Sequence, residues 1–321
     1  MDNLTGRFHY LNLPSMARFS RRKEFSILIL LLILCVMSCS PARFITNRLV
    51  APMEELDELY LTENDPQLVR ESMPSTLKML ELFLQNSPDN PGLLLAAAQA
   101  FTLYGYAFVL RDAEVAIAHD VDEARRLRER SSRLFLRARE FAFRALEVKY
   151  PRFRETYFAW PVESLNRVEK EDVCLLYWAA VSWGSLISSS KDNPGVIVDL
   201  PHVGRFLERA LELDDGYDKG AIHEVMISYS INRPDAGSAG IEKAEHHYER
   251  ALELSGGNRA SVYVNYAESI CVRKQEREEF LNLLDQAISI DVDEDPSSRL
   301  ANLVAQEKAR WLKERVDELF F

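Results

Sequence analysis

The chain has 321 residues, of which 47% are hydrophobic and 28% charged, and this composition excludes a disordered protein. The formal net charge is −11 and the basic side chains are scattered, so the surface repels phosphate backbones and argues against nucleic acid as a partner. Only 12 Gly and 13 Pro interrupt long stretches rich in Ala, Leu, Glu and Arg, which favour helix. The sequence therefore predicts an all-α protein.

The amino terminus has the pattern of an export signal. Basic residues within 18–23 precede an almost unbroken apolar run over 27–37. This run is shorter than the roughly 20 apolar residues that span a bilayer, so a permanent transmembrane helix is the weaker alternative. The Val-Met-Ser sequence before Cys39 resembles a bacterial lipobox and predicts that Cys39 is lipidated. Met1 and Met16 both remain open as the start, and Met16 gives a signal of ordinary length.

The predicted cleavage divides the chain into three parts. Residues 1–38 are expected to be the lipoprotein signal peptide, 39–52 the lipidated tether, and 53–321 a single all-helical domain. Several acyl chains at about 0.8 kcal/mol per buried methylene make the anchor on Cys39 effectively permanent. By resemblance to enterobacterial sorting signals, Ser40 favours the periplasmic face of the outer membrane over the inner membrane. The membrane would then be contacted through the lipid anchor alone.

Two further cysteines, Cys174 and Cys271, lie in apolar helical contexts. An exported protein can form disulfides, but a bridge needs Cα atoms about 5.5 Å apart, which the sequence does not establish. Buried free thiols are the favoured interpretation and a disulfide is the alternative.

A short phrase with a central alanine recurs four times. The alanines are Ala145, Ala210, Ala251 and Ala287, and their spacings are 65, 41 and 36 residues. The last two spacings approach the 34-residue period of the tetratricopeptide helix pair, and the first has room for two units or an insertion. A small residue here lets the second helix of a pair approach its neighbour closely. The pattern predicts a tetratricopeptide-like helical-repeat bundle.

Periodicity and capping signals predict where the helices lie. The expected ranges are 53–62, 65–85, 91–109, 112–148, 161–167, 170–189, 200–213, 217–230, 239–254, 258–273, 276–290 and 296–319. Two segments, 149–160 and 188–201, are expected to be irregular because they contain Pro and lack a helical pattern.

Several segments, taken in order, carry a more specific pattern than the repeat. They are 91–108, 136–146, 172–184, 199–203, 263–268 and 300–312. Together with the lipobox, these segments resemble the TatT component of tripartite ATP-independent periplasmic (TRAP) transporters over nearly all of the predicted mature chain. The glycine-containing stretch 235–240 departs from the pattern and suggests a different local turn.

The resemblance implies a trimeric helical lipoprotein with an internal tunnel or cavity in each protomer. It implies docking to the periplasmic solute-binding (P) component, with an ion gradient through separate membrane subunits supplying the energy. The resemblance does not fix the solute, and a small hydrophobic, amphipathic or organic-acid ligand is expected.

The candidate ligand-binding residues are mostly aromatic. The helix over 173–187 is apolar on all sides, which predicts a central position, and it carries three large rings. The full candidate set is Tyr104, Tyr106, Tyr177, Trp178, Trp183, Tyr266 and Asn302. Core packing is the alternative for most of the rings. Asn302 lies on an otherwise apolar stripe, so its amide needs partners, and bonding to neighbouring backbone is favoured over a ligand.

No motif predicts catalysis, a metal or a cofactor. His246 and His247 are helix neighbours that point about 100° apart and cannot chelate one ion together. The acidic run 291–296 lacks the glycine of a calcium loop and is better explained as a helix cap. The Ser-Lys spacing in 188–191 has no companion motif. The sequence thus favours a non-enzymatic, ligand-handling transporter subunit, with a tetratricopeptide-type scaffold for outer-membrane assembly as the alternative.

Overall fold

The computed structural model describes residues 58–190, 193–233 and 235–321, and within these ranges it contains helices and turns but no strand. The all-α prediction is therefore confirmed. The predicted signal peptide, Cys39 and the tether lie outside the described residues. Cys174 and Cys271 are both free thiols, and Cys271 is buried.

The helices of the first half are α1 (Pro66–Asn86), α2 (Pro91–Ala116), α3 (Val121–Lys149), α4 (Phe153–Ala159), α5 (Pro161–Asn166) and α6 (Val173–Ser189). The helices of the second half are α7 (Pro194–Ile197), α8 (Leu200–Leu213), α9 (Ala221–Asn232), α10 (Ala239–Ser255), α11 (260–274), α12 (Arg277–Ser289), α13 (Arg299–Glu314) and α14 (Val316–Leu319).

Capping side chains set the starts of the first long helices. The Asp65 carboxylate accepts hydrogen bonds from the first turn of α1, and the Asn90 side chain does the same for α2. Asp120 caps α3 through the Glu123 amide, and this cap makes the single helix predicted over 112–148 wrong. The irregular segment predicted at 149–160 is also wrong in part, because α4 forms there.

The four repeat alanines are fully buried. Ala145, Ala210, Ala251 and Ala287 lie in α3, α8, α10 and α12, each with 0% of its surface exposed. The backbone at Gly220 packs closely against Ala251, because a Cβ added to Gly220 would lie 3.2 Å from the Ala251 Cα. Gly220 also has φ +90°, a conformation that favours glycine.

Helix contacts run through the whole described chain and return to its beginning. α1 contacts α2, α2 and α3 contact α6, α6 contacts α8, and α8 contacts α9. α9 contacts α10 and α11, α11 contacts α12 and α13, and α13 contacts α1. The Arg299 guanidinium donates to the Thr62 carbonyl at 2.8 Å, and the Arg111 guanidinium lies 3.8 Å from the centre of the Trp311 ring. The helices therefore form a closed circuit.

The helix α2 lies at the centre of the packing. Among the described residues it is the one helix whose length and composition would suffice to cross a membrane, but 67% of its apolar window is buried inside the protein. Leu93, Leu94 and Ala97 have 0% of their surface exposed. Its apolar character is thus accounted for by packing against the surrounding helices.

In the described part of the chain, two helices contain a π-helical segment, a distortion that is frequent at functional sites. Gly105–Leu110 forms one inside α2, and Ala267–Cys271 forms the other inside α11. A Cβ added to Gly105 would lie 2.8 Å from the Phe135 ring, so glycine allows α3 to pack tightly against the first segment.

Candidate interior binding site

Polar side chains from five helices come together within the circuit. Tyr106 belongs to the π segment of α2 and Glu268 to that of α11, and Lys308 on α13 acts electrostatically on Tyr106 and Glu268. The members of this interior polar cluster are Tyr106 (α2), Tyr177 (α6), Glu224 (α9), Arg259 (immediately before α11), Glu268 (α11) and Lys308 (α13).

Lys308 and Glu268 form the tightest ion pair of the cluster. Lys308 Nζ lies 2.6 Å from Glu268 Oε2, and the two side chains are 16% and 33% exposed. Burial lowers the pKa of Lys308, but the charges of Glu268, Tyr106 and Glu114 outweigh burial and leave the pKa raised. Lys308 is therefore a protonated ammonium at physiological pH.

Arg259 forms the second charged group of the cluster. Its guanidinium lies 3.0 Å from Asp218 Oδ1 and 3.8 Å from Glu224 Oε2, and the side chain is 14% exposed. Burial raises the pKa of Glu224, although Arg259 opposes this shift. Arg259 therefore does not fully compensate Glu224 for its burial.

Tyr106 is accessible to water and is also influenced by charged groups on several helices. Its residue surface is 54% exposed to water. Lys308 acts to lower the pKa of Tyr106, but burial and the carboxylates of Glu268, Glu114 and Glu224 outweigh it, so the pKa is raised. The groups that act on the Tyr106 hydroxyl lie on α2, α9, α11 and α13, so the ring lies close to all four helices.

Aromatic rings adjoin the charged groups. The Tyr177 ring centre lies 5.1 Å from that of Trp178 and 5.2 Å from that of Tyr217. Burial raises the pKa of Tyr177 well above its ordinary value, with Glu224 adding to the shift. The buried Trp178 indole N–H forms no hydrogen bond of acceptable geometry with the described residues, although the Tyr217 hydroxyl lies near it. A buried donor without a partner costs about 1–3 kcal/mol, so a bound molecule could satisfy it.

Two of the predicted aromatic residues lie elsewhere. Trp183 is 2% exposed, donates its indole N–H to Asp199 at 3.1 Å and stacks on His202, so it packs in the core. The Tyr266 ring centre lies 4.2 Å from that of Tyr248, which places Tyr266 between α10 and α11. Neither residue has an electrostatic or ring contact with Tyr106 or Tyr177 in the described structure.

Tyr104 borders a separate cleft between α1, α2 and α3. The ring is 6% exposed, and its hydroxyl lies 3.2 Å from an Arg130 guanidinium nitrogen. The cleft is lined by Pro74, Leu77, Lys78, Phe101, Tyr104, Arg130, Leu134 and Arg137. Tyr104 and Tyr106 are close in sequence, but Tyr104 lines this cleft whereas Tyr106 belongs to the interior polar cluster.

Asn302 has a structural role. It is 2% exposed, its Oδ1 accepts from the Ala260 backbone N–H at 2.9 Å, and its Nδ2 donates to the Asn258 carbonyl at 3.0 Å. Both ends of the amide are occupied, as the favoured interpretation of the sequence predicted. Asn302 therefore holds α13 to the start of α11 and does not belong to the interior polar cluster.

Sequence reasoning missed the charged members of the cluster. Glu268 and Lys308 are 40 positions apart, and each could equally face solvent on an amphipathic helix. One signal was available: Glu224 is the single charged residue in α9, an otherwise apolar and neutral helix. Among the described residues, no group of three or more His, Cys, Asp or Glu side chains is arranged to hold a metal ion.

Comparison with known proteins shows the family of this chain. An uncharacterized protein of Treponema pallidum (strain Nichols) is 28% identical over 291 residues, which cover 88% of this chain and 90% of that protein. The model of the TRAP transporter T-component family matches residues 62–320. That family supplies an accessory component of a transporter and is not an enzyme family. The chain therefore belongs to the TRAP transporter T-component family.

Proposed function

We propose that this protein is the accessory lipoprotein of a TRAP transporter, that it docks to the solute-binding component, and that it holds an amphipathic solute inside the protomer. The observation that carries the proposal is the interior polar cluster. It lies within a closed circuit of helices in a chain of the T-component family.

The proposal includes a solute passage, a water-accessible space inside the protomer, and the environment of Tyr106 supports it. A ring that is 54% exposed, and whose pKa is nevertheless raised by burial and by carboxylates on its own helix and on two others, fits a water-accessible space bounded by protein. Tyr177 and Trp178 would offer apolar surface to the solute, while the ion pairs offer polar groups. Such a mixture suits a solute with an apolar body and a polar head.

The proposal includes the location and the assembly. Lipidation at Cys39 would hold the protein on the periplasmic face of a membrane, with the outer membrane favoured. A homotrimer would present three interiors to solute-binding partners. The chain would need no cofactor, because its proposed task is to bind and transfer a solute that the membrane subunits then transport.

Co-purification tests the docking. The full-length lipoprotein should retain the solute-binding component of its own TRAP system under mild crosslinking, and it should not retain a TRAP solute-binding protein from an unrelated system. Failure to capture its own partner would argue against docking. In parallel, broad loss of outer-membrane proteins on depletion would favour the scaffold alternative.

Native mass spectrometry tests the assembly and the interior together. A trimer that releases a small molecule on activation is expected. Detection of the monomer alone would contradict the proposed homotrimer. A protein that carries no small molecule and binds none of octylammonium, octanol and octanoate would overturn the solute passage.

A further inference from the structure

If the proposed passage holds, the charges in and beside the interior polar cluster determine whether a cationic or an anionic solute binds more tightly. Two cations, Arg259 and Lys308, belong to the cluster. A third, Arg111, adjoins it because its partner Glu114 acts on Tyr106. Each of the three has a carboxylate partner. Lys308 pairs with Glu268 at 2.6 Å, Arg111 with Glu114 at 3.4 Å, and Arg259 with both Asp218 at 3.0 Å and Glu224 at 3.8 Å.

This arrangement contains one carboxylate more than it has cations. Arg259 is shared by Asp218 and Glu224, and Glu224 takes the longer contact. A solute carboxylate that entered here would meet no cation without a partner among these groups, and it would add a fifth negative charge to the four carboxylates that act on Tyr106 and Tyr177. Like charges beside partly buried groups repel each other more strongly than in bulk water, so an anionic head is disfavoured.

An ammonium head meets the opposite situation. It would be attracted to Glu224, whose charge also acts on Tyr177. An aromatic ring beside a carboxylate favours a cation further, because the ring face attracts positive charge. The adjoining Trp178 ring supplies apolar surface for the rest of the solute. We infer that the interior polar cluster receives an amphipathic solute with an ammonium group in preference to an organic acid.

Three probes of equal chain length test this inference on the full-length protein: octylammonium, octanol and octanoate. Isothermal titration, with tryptophan fluorescence as a second readout, should give saturable binding of one probe per protomer. The expected order of affinity is octylammonium, then octanol, then octanoate. We expect at least about a tenfold difference between the first and the last, the ratio that about 1.4 kcal/mol produces.

Two variants test whether the charges of the interior polar cluster determine the order of affinity of the three probes. Glu224→Gln removes the surplus carboxylate and should lower octylammonium affinity several-fold. Glu268→Gln releases Lys308 from its partner and should raise octanoate affinity. The matched control is Glu212→Gln on α8, where the side chain is 65% exposed. It removes the same charge from the surface and should leave all three affinities unchanged, which separates interior binding from attraction to an acidic protein.

The outcomes separate this inference from the proposed function. Octanoate binding as tightly as octylammonium to the wild-type protein would overturn the inference and leave the passage intact. Equal effects of Glu224→Gln and Glu212→Gln would also overturn it. Absence of binding for all three probes would overturn the passage, whereas capture of the solute-binding partner is measured independently. The wild-type comparison remains decisive even where a variant fails to fold.

Discussion

The Nδ1 atoms of His223 and His247 lie 2.9 Å apart where α9 meets α10. His223 Nε2 lies 2.9 Å from an oxygen of Asp215, and the other carboxylate oxygen of Asp215 pairs with Arg250. Asp215 accepts, so His223 Nε2 carries a proton. A neutral His223 then accepts at Nδ1 and His247 donates. Protonation of both rings would point two N–H groups at each other, so the contact requires that at least one ring stay neutral.

This pair predicts a loss of stability on mild acidification. Burial, followed by the charges of His223 and His246, lowers the pKa of His247 to about 4. The unfolded chain, with a histidine pKa of about 6.5, therefore binds this proton first as the pH falls. The contribution is complete above about pH 6.5 and is lost towards pH 4. Between pH 7 and pH 5 the free energy of unfolding should fall by about 1–2 kcal/mol through His247, which is partly accessible to solvent.

Urea unfolding at the two pH values measures this effect. His247→Gln should remove most of the pH dependence, because the glutamine does not titrate. His119→Gln is the control, since His119 is exposed in the turn between α2 and α3. A His247→Gln protein with the same dependence as wild type would show that other groups cause it.

The helix positions depend on short-range interactions, which is why most predicted ranges lie close to the observed helices. The repeat alanines, Asp65 and the cap at Asn90 each act within one helix or between chain neighbours. The closure of the circuit is different, because Arg299 reaches Thr62 across 237 positions and no pattern in the sequence connects them. The rings of α6 were predicted because that helix is apolar on all sides. Glu268 and Lys308 were not predicted because they meet only through contacts between helices that are distant in sequence.

Cys39 is the expected site of lipidation. Cys39→Ser removes the thiol that would carry diacylglycerol, so the variant should no longer incorporate labelled palmitate or partition into detergent. The wild-type protein should do both, and Cys174→Ser should behave as wild type because Cys174 lies within α6. Palmitate labelling that persists in Cys39→Ser would exclude this residue as the site.

Asn302→Ala should destabilise the protein without affecting solute binding. The change leaves the Ala260 N–H and the Asn258 carbonyl without their partner, and unsatisfied buried groups cost about 1–3 kcal/mol each. A loss of about 2–3 kcal/mol in the free energy of unfolding is expected. Asn282→Ala, at an exposed position on α12, should change it by less than about 0.5 kcal/mol. A stable Asn302→Ala protein with impaired octanol binding would instead indicate a ligand role.

Gly204→Ala tests how closely α8 and α9 approach each other. A Cβ at Gly204 would overlap the hydroxyl of Tyr229, and its ring is only 8% exposed, so the aromatic side chain has little room to move. Overpacking of this kind costs about 1–3 kcal/mol. Gly184→Ala is the matched control, because its Cβ would lie 3.6 Å from Val203 in ordinary contact. Alanine also improves helix propensity by up to about 1 kcal/mol, so thermal unfolding should show a lower midpoint for Gly204→Ala and an equal or higher one for Gly184→Ala. Equal midpoints for the two variants would mean that α9 shifts away from α8 without cost, which the tight packing of Tyr229 argues against.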